Sequence, residues 1–524
     1  MCFSILSGLL LTYCFPEYNL NWLIWISLIP IMEVVYTEKP GASFVYGWIF
    51  GVIFMGGISY WLTVLPGGYI GWTVYCAFYS LYPAGFCAVM SWLKDKLSHR
   101  YIITGTVPFI WVSMEWIRSC GFMGFTWINL GHSQYNFLEL IQISSITGVM
   151  GVSFLIVAVN NVFREILSFN FPDRFKSGTL KNKKEIIIYT LIVIVIFIST
   201  ISYGFFELNT SHIEGNSETK IAIIQPSIDQ SIKWDKRHQG DIIKKYFSMT
   251  REASLHHPDI VLWPETAIPS FLLLDNELMY SIRTLLKEVN TFLLTGTVDL
   301  VPESRLIFNT ALMLSPEGNL VEKYHKMHLV PFGEYLPGRK YLERMSALKE
   351  VIKPISRFSS GQEVVIFKTP YIKFSTVICF ESIFPDISRK CMLKGAECII
   401  VLTNDAWFER SAAPFQHNII SVFRAVENRT FVVRCANTGV SSIIEPTGKI
   451  IDSTPIYEEK ILYATIYPHA GTTFYTYYGD VFALFCFIIC NGLLLYTLLI
   501  EGRACVKHLK KSKGKYNFYR NKIL

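Results

Sequence analysis

The sequence predicts a multi-pass α-helical membrane bundle of about eight spans joined to one extramembrane α/β domain. Three observations predict it. Of the 524 residues, 51% are hydrophobic and only 17% are charged, against roughly 25% charged in soluble proteins. Long apolar runs fill the N-terminal part of the chain and return once near its end. Between them lies a stretch in which short β-rich runs are separated by amphipathic helical segments.

A spanning helix needs ~20 mostly apolar residues. Candidate spans lie at about 3–15, 21–36, 43–63, 71–93, 101–120, 140–163, 185–206 and 479–500. The first is short, and it has neither a basic n-region nor an A-x-A cleavage site, so it reads as a retained anchor. The sixth is weakened by Asn160 and Asn161 near its end. The connections sort by charge. The even ones hold Lys39, then Lys94, Lys96 and Arg100, then Arg164, Arg174, Lys176, Lys181, Lys183 and Lys184. The tail adds Arg503, Lys507, Lys510, Lys511, Lys513, Lys515, Arg520 and Lys522, while the odd connections 16–21, 64–70 and 121–138 hold no Lys or Arg. By the positive-inside rule the basic side is cytoplasmic, which puts residues 207–478 outside. The expected division is a membrane unit at 1–206, a soluble domain at 218–467, a last span at 479–500 and a basic cytoplasmic tail at 501–524. The same clustering makes the net charge of +7 a topology signal and argues against nucleic acid as a partner. Twelve cysteines without a CxxC pair indicate neither a zinc site nor a disulfide framework.

In the soluble stretch, residues 220–228, 259–265, 291–298, 309–316, 374–381, 398–405, 431–437 and 441–448 read as buried or half-buried strands. Helical patterns at 241–255 and 279–289 fall between some of them. Strands alternating with helices predict an α/β sandwich, whose sites tend to sit at strand ends.

Three residues there carry chemistry as a set. Cys379 ends an apolar run, where a strand-to-turn geometry would lift its sulfur and aim backbone N–H groups at an incoming carbonyl oxygen. A lone cysteine is more often a buried structural residue, and Cys391, Cys398 and Cys435 are read so. Glu265, after Trp263 and Pro264, has the apolar setting that suits a carboxylate to take a thiol proton, and its bland reading is a loop acid. Lys326 could lower a thiol pKa and stabilise an oxyanion, and its bland reading is a solvated lysine. His325 and His328 beside it lack a third ligand and make no metal site.

The segments WPE, K-x-H-L-V-P-F-G-E and C-x-E, in this order in one α/β domain, resemble the nitrilase (carbon–nitrogen hydrolase) superfamily. With the apolar bundle on both sides, and with 404–408, 414–417, 424–429, 437–442, 445–448 and the TVPFIWVSMEWIRS run, the chain resembles the apolipoprotein N-acyltransferase family along essentially its whole length. The resemblance implies an αββα sandwich and a Glu265, Lys326, Cys379 triad, with Glu265 as general base, Lys326 as oxyanion stabiliser and Cys379 as nucleophile. It implies transfer of an acyl chain from a phospholipid, phosphatidylethanolamine by family expectation, to the amine of diacylglyceryl-cysteine on an apolipoprotein. No cofactor or metal is implied. The setting implied is the inner membrane with the domain in the periplasm, as a monomer. Glu334, Glu381 and Phe380 align with supporting positions, and Trp234 aligns with a tryptophan proposed to help substrates reach the site. Phe380 stands where some members have tyrosine, so no hydroxyl acts there. In the fifth span Glu115 and Arg118 are expected to pair or to hold a headgroup, and Gly47 with Gly51 to allow close helix packing. Competing readings are a membrane-anchored nitrilase-type amidase and a non-catalytic transporter. Eight spans exceed what an amidase anchor needs, and the intact triad argues against the transporter.

Overall fold

The computed structural model describes residues 1–523 except 66, 98–99, 122–123, 176–179, 181, 211–216, 340–356 and 469–471, with backbone alone at 100 and 504–523. Helical segments occupy all eight regions expected to span. They are Cys2–Tyr13, Asn21–Trp25 with Ile29–Thr37, Pro40–Ile58, Gly68–Tyr79 with Leu81–Lys96, Arg100–Ser119, Val149–Asn170, Lys183–Thr210 and Val481–Ile523. By length and composition five are long and apolar enough to cross a membrane: Pro40–Ile58, Gly68–Lys96, Val149–Asn170, Lys183–Thr210 and Val481–Arg503. Cys2–Tyr13 and Asn21–Thr37 are shorter apolar helices. The second region is a 3-10 turn followed by a short helix whose Pro30 sits in its first turn. The sixth starts at Val149 rather than near 140, because residues 138–147 form two single-turn helices that stop at Gly148 with φ +64°. A Cβ on Gly148 would lie 2.6 Å from the Tyr475 ring, so the stop is fixed by packing as well as by backbone freedom.

Gly47 and Gly51 do allow close packing. Added Cβ atoms would lie 2.8 Å from Cys87 and 2.7 Å from Ser80 on the neighbouring helix. Buried charge collects at one end of the bundle, where Arg164 contacts Glu33 and Glu165 at 3.0 Å each. Lys94 there donates to the carbonyls of Val35, Tyr36 and Glu38 at the end of helix Ile29–Thr37. The side chains of Arg100, Lys176, Lys181 and the tail from Lys507 onward lie outside the described residues.

The soluble domain contains thirteen strands among its described residues: β1 Thr219–Gln225, β2 Ile260–Leu262, β3 Ile268–Phe271, β4 Phe292–Val301, β5 Leu306–Leu314, β6 Leu320–His325, β7 Phe367–Lys368, β8 Lys373–Ile378, β9 Cys398–Thr403, β10 Phe431–Ala436, β11 Ser442–Ile444, β12 Ile450–Ser453 and β13 Lys460–Ile466. They form two sheets, β13-β1-β2-β4-β5-β6 with β3 beside β4, and β12-β11-β10-β9-β8-β7. The eight expected strands are all present, and β3, β6, β7, β12 and β13 are additional. The sheets face each other across Ile221, Ile223, Leu262 and Leu294 on one side and Phe374, Ile400, Leu402 and Val433 on the other. Helices Gln239–Ser254 and Asn276–Val289 cover the outer face of the first sheet. Pro385–Leu393 and Ala413–Asn428 cover the second, completing an αββα sandwich.

Helix Ala413–Asn428 is buried on nearly every side because it lies between the second sheet and the membrane bundle. Gln416 fastens it there. Its Oε1 accepts from Trp61 and Trp127 at 3.1 and 2.8 Å, and its Nε2 donates to the carbonyls of Pro16 and Ile58 at 3.1 and 2.9 Å. Gln416→Leu would leave four buried polar groups unpaired, at ~1–3 kcal/mol for each group that water cannot reach. The expected result is a markedly lower unfolding midpoint in detergent, read by tryptophan fluorescence.

Candidate active site

The site is built from strand ends, as the α/β reading anticipates. Two residues beyond β2, Pro264 and Glu265 enter a turn in which Thr266 has φ +47°. Gly296 on β4 lets that turn approach, since a Cβ there would meet the Thr266 nitrogen at 2.5 Å. Lys326 follows β6, and Cys379 follows β8 and opens a 3-10 turn, Cys379–Ile383. Cys379 itself has φ +53°, a strained backbone for a non-glycine residue that its surroundings must hold.

Glu265, Lys326 and Glu334 meet. Buried Lys326 donates from Nζ to Glu334 Oε1 at 2.9 Å and lies 3.4 Å from Glu265 Oε1. Asn309 on β5 bridges the two carboxylates, donating from Nδ2 to Glu265 at 2.8 Å and Glu334 at 2.9 Å. The second oxygens accept backbone N–H groups, Glu265 from Asn404 at 2.9 Å and Glu334 from Val330 at 2.8 Å. Burial works against the Lys326 ammonium, yet the carboxylates of Glu334 and Glu265 outweigh it and hold the group above the ordinary lysine range. Half-buried Cys379 is electrostatically coupled to Lys326 and Glu265 of that cluster. Burial first, then Glu265, push its thiol up, while Lys326 opposes them. A thiol kept protonated beside a carboxylate and an ammonium gains its charge when the carboxylate removes the proton.

Glu381 does not join that cluster directly. Buried, it accepts from Tyr324 Oη at 2.8 Å, Met327 N at 2.7 Å, His328 N at 3.0 Å and Ile378 N at 2.7 Å. It therefore ties the Lys326 loop to the Cys379 turn. Burial raises its carboxyl against those donors. Phe380 packs on Phe384 at 5.2 Å and on Phe125 from the bundle at 6.2 Å. Phe125 continues to Tyr75, Tyr79 and Trp127, so an aromatic wall runs from the thiol turn into the bundle. Trp234 is 47% exposed. His325 and His328 diverge, the first toward Asp299 and the second against Phe384.

Glu115 and Arg118 do not pair with each other. Glu115 accepts from Trp111 Nε1 at 3.1 Å and Leu130 N at 2.9 Å, and Arg118 donates to Ile128 O at 2.8 Å and Asn129 Oδ1 at 2.5 Å. Both hold the chain at 128–130 against their helix, a nearer partner than a side chain one turn away. They border a small cavity of about 30 Å³.

Sequence reading missed several groups of the site. Asn309 opens the strand expected at 309–316 and Lys233 sits in a polar segment, and neither carries a local signal. A buried network also lies beneath the thiol turn. His417 is 2.9 Å from Asp405 and 2.8 Å from Ser382 Oγ, Arg434 donates to Asp405 at 2.9 Å, and Ser382 donates to the Cys379 carbonyl at 2.9 Å. Arg434 in the otherwise apolar β10 was the available signal.

Two paired sheets with this cluster at their strand ends define a carbon–nitrogen hydrolase domain, and the model of that family, "Carbon-nitrogen hydrolase", matches residues 220–473. The model "Apolipoprotein N-acyltransferase N-terminal domain" matches residues 7–162. A Geobacter metallireducens protein named apolipoprotein N-acyltransferase is 36% identical over 492 residues, covering 92% of each chain. One of the same name from Chlorobaculum tepidum is 29% identical over 521 residues, covering 94% of this chain and 95% of its own. Among solved structures, the nitrilase-superfamily protein Nit3 of Saccharomyces cerevisiae aligns at 20% identity and TM-score 0.37, over 49% of this chain and 93% of its own. The chain belongs to the apolipoprotein N-acyltransferase family.

Proposed function

We propose that this chain transfers an acyl chain from a membrane phospholipid, phosphatidylethanolamine in the first instance, through a thioester on Cys379 to the N-terminal amine of diacylglyceryl-cysteine in apolipoproteins. The observation that carries the reading is the Glu265, Lys326 and Glu334 cluster, electrostatically coupled to Cys379, with an aromatic wall leading from the thiol turn into the bundle. Glu265 takes the thiol proton, and the thiolate attacks the ester carbonyl. Lys326, with one N–H beyond those given to the two carboxylates, faces the oxyanion. The C–O bond breaks, the proton passes from Glu265 to the departing lysophospholipid, and a thioester remains. The acceptor amine then attacks the thioester, gives its proton to Glu265, and the C–S bond breaks to leave an amide and the thiol. A thioester is a better acyl donor to an amine than the starting ester, so neither ATP nor a metal is required.

In this reading Glu334, Glu381 and Phe380 support the triad, and Trp234 stands where substrates approach. The bundle crosses the bacterial inner membrane eight times, with 218–467 in the periplasm and 501–524 in the cytoplasm, and the protein acts as a monomer. The charge pattern of the connections supports that orientation.

The test is intact-mass spectrometry of the purified protein in detergent with phosphatidylethanolamine and no acceptor, followed by peptide mapping. A gain of one acyl chain on Cys379 is expected. A folded protein whose Cys379 stays unmodified would sink the thioester and favour a hydrolytic amidase.

A further inference from the structure

We propose that Lys233 is a second cation of the thiol site: anchored on the Glu265 carbonyl, it stabilises the Cys379 thiolate. The proposal deepens the function above and rests on Cys379 being the nucleophile.

Lys233 is fully buried, unlike its neighbour Trp234, which is 47% exposed. The local chain turns it inward. Asp229 caps the short turn Gln230–Lys233 by accepting from Ser231 N at 2.8 Å. Gln230 accepts from Asn404 Nδ2 at 2.9 Å, and the backbone N–H of Asn404 donates to Glu265 Oε2 at 2.9 Å. The turn that carries Lys233 is thus tied to the residue that holds the general base. Its ammonium donates to the Glu265 carbonyl at 3.0 Å, its one hydrogen-bond acceptor among the described residues.

A buried ammonium with one neutral acceptor is costly, and its location must repay that cost elsewhere. Lys326 solves the same problem with two carboxylates and has one N–H to spare. Lys233 has two to spare beside the Glu265 backbone, and the negative charges that act on it are the Glu265 carboxylate and the Cys379 thiolate. Burial brings Lys233 down to about 8, while Glu265 and Cys379 pull the other way. At neutral pH the group is therefore mostly charged, and above about 8 it is mostly neutral. The thiolate exists only transiently, after Glu265 accepts its proton, and a fixed cation stabilises that state more than the neutral thiol. Lys233 acts through Cys379, which makes it a positioning residue.

The experiment is alkylation of Cys379 by neutral iodoacetamide in the full-length protein in detergent, followed by peptide mass across neutral and alkaline pH. Lys233→Met and Lys233→Gln are compared with the unmutated protein and with Lys233→Arg. The neutral variants should react ~10-fold more slowly at pH 7, one unit of thiol shift. They should converge on the unmutated rate above pH about 8, where Lys233 loses its own charge. The arginine variant should recover most of the rate because it keeps the charge. Neutral variants that match the unmutated protein at pH 7, or that lag equally at every pH, would overturn the proposal. Neutral variants that fail to fold would overturn it too, by assigning Lys233 to packing. Iodoacetamide needs no lipid, so the two readings fail separately. A Cys379 in the unmutated protein that resists the reagent at every pH strikes the thioester reading itself, and a reactive Cys379 indifferent to Lys233 strikes only this one.

Discussion

Lys326→Met is expected to slow acyl-enzyme formation by about 10²–10³-fold, the usual loss when one oxyanion donor is removed. The expectation rests on what the ammonium holds apart. Glu265 and Glu334 both accept from the same Asn309 nitrogen, at 2.8 and 2.9 Å, so their Oε1 atoms crowd one donor. Lys326 neutralises the pair from the other side. Without it, two carboxylates share a buried site with no cation between them, and their mutual repulsion is unrelieved. Breaking a buried ion pair by removing one partner also costs about 3–5 kcal/mol. The pH signature follows from sign. Lys326 is held above the ordinary lysine range, so its contribution is complete below the ordinary lysine pKa and is lost only as pH rises through the folded value. The stability deficit of the variant should therefore be constant from mildly acidic to mildly alkaline pH. Thermal unfolding in detergent at several pH values reads the deficit, and the rate of mass gain with phosphatidylethanolamine reads the catalytic loss. A variant that acylates at the unmutated rate would remove Lys326 from the chemistry.

How much of this was legible in the sequence depends on where each signal lies. Buried strands such as β9 and β10 are runs of β-branched and apolar residues, and they read directly. β6 did not, because it is a half-exposed edge strand whose LVEKYH composition looks like a loop. β13 alternates cleanly in KILYATI and pairs with all of β1, yet it lies beyond the apolar runs that drew attention. The sixth span was displaced because residues 138–147 are apolar for a different reason. They pack against the soluble domain, as Gln142 shows by donating to the Thr447 carbonyl at 2.8 Å. The proposed triad of Glu265, Lys326 and Cys379 was visible as a set of candidates through its motifs. Its support was not, since Asn309 and Lys233 gain their meaning only when the fold brings them to Glu265 across 44 and 32 positions.

The network beneath the thiol turn carries the second large expected effect. Asp405→Asn should cost about 3–5 kcal/mol, because it strips Arg434, itself fully buried, of the carboxylate it meets at 2.9 Å. Burial alone would raise the Asp405 carboxyl, but Arg434 and His417 overcome it and bring the group down to about 2. A depressed carboxyl contributes stability that is complete above its unfolded pKa of ~3.9 and is lost as pH falls through the folded value. The gap in unfolding midpoint between the unmutated protein and Asp405→Asn should therefore be widest from neutral pH down to about 4 and should close toward pH 2. A gap that persists unchanged into acid would show that Asp405 acts by shape rather than by charge. The loss should reach the thiol as well. His417 and Ser382 sit at 3.2 and 2.9 Å from the carbonyl of Cys379, whose φ of +53° is strained. Holding a non-glycine residue in that region costs ~1–3 kcal/mol, which the surrounding contacts must offset. With the Asp405 charge removed, His417 loses its ionic partner and is held by Ser382 and Arg434 without it, so the neighbour of the Cys379 carbonyl is less fixed and the turn can relax toward an unstrained backbone and carry the sulfur away from Glu265. Alkylation of Cys379 in Asp405→Asn should then fall at every pH, unlike the pH-limited loss expected from Lys233. That difference in profile separates a residue that sets the geometry of the thiol from one that sets its charge.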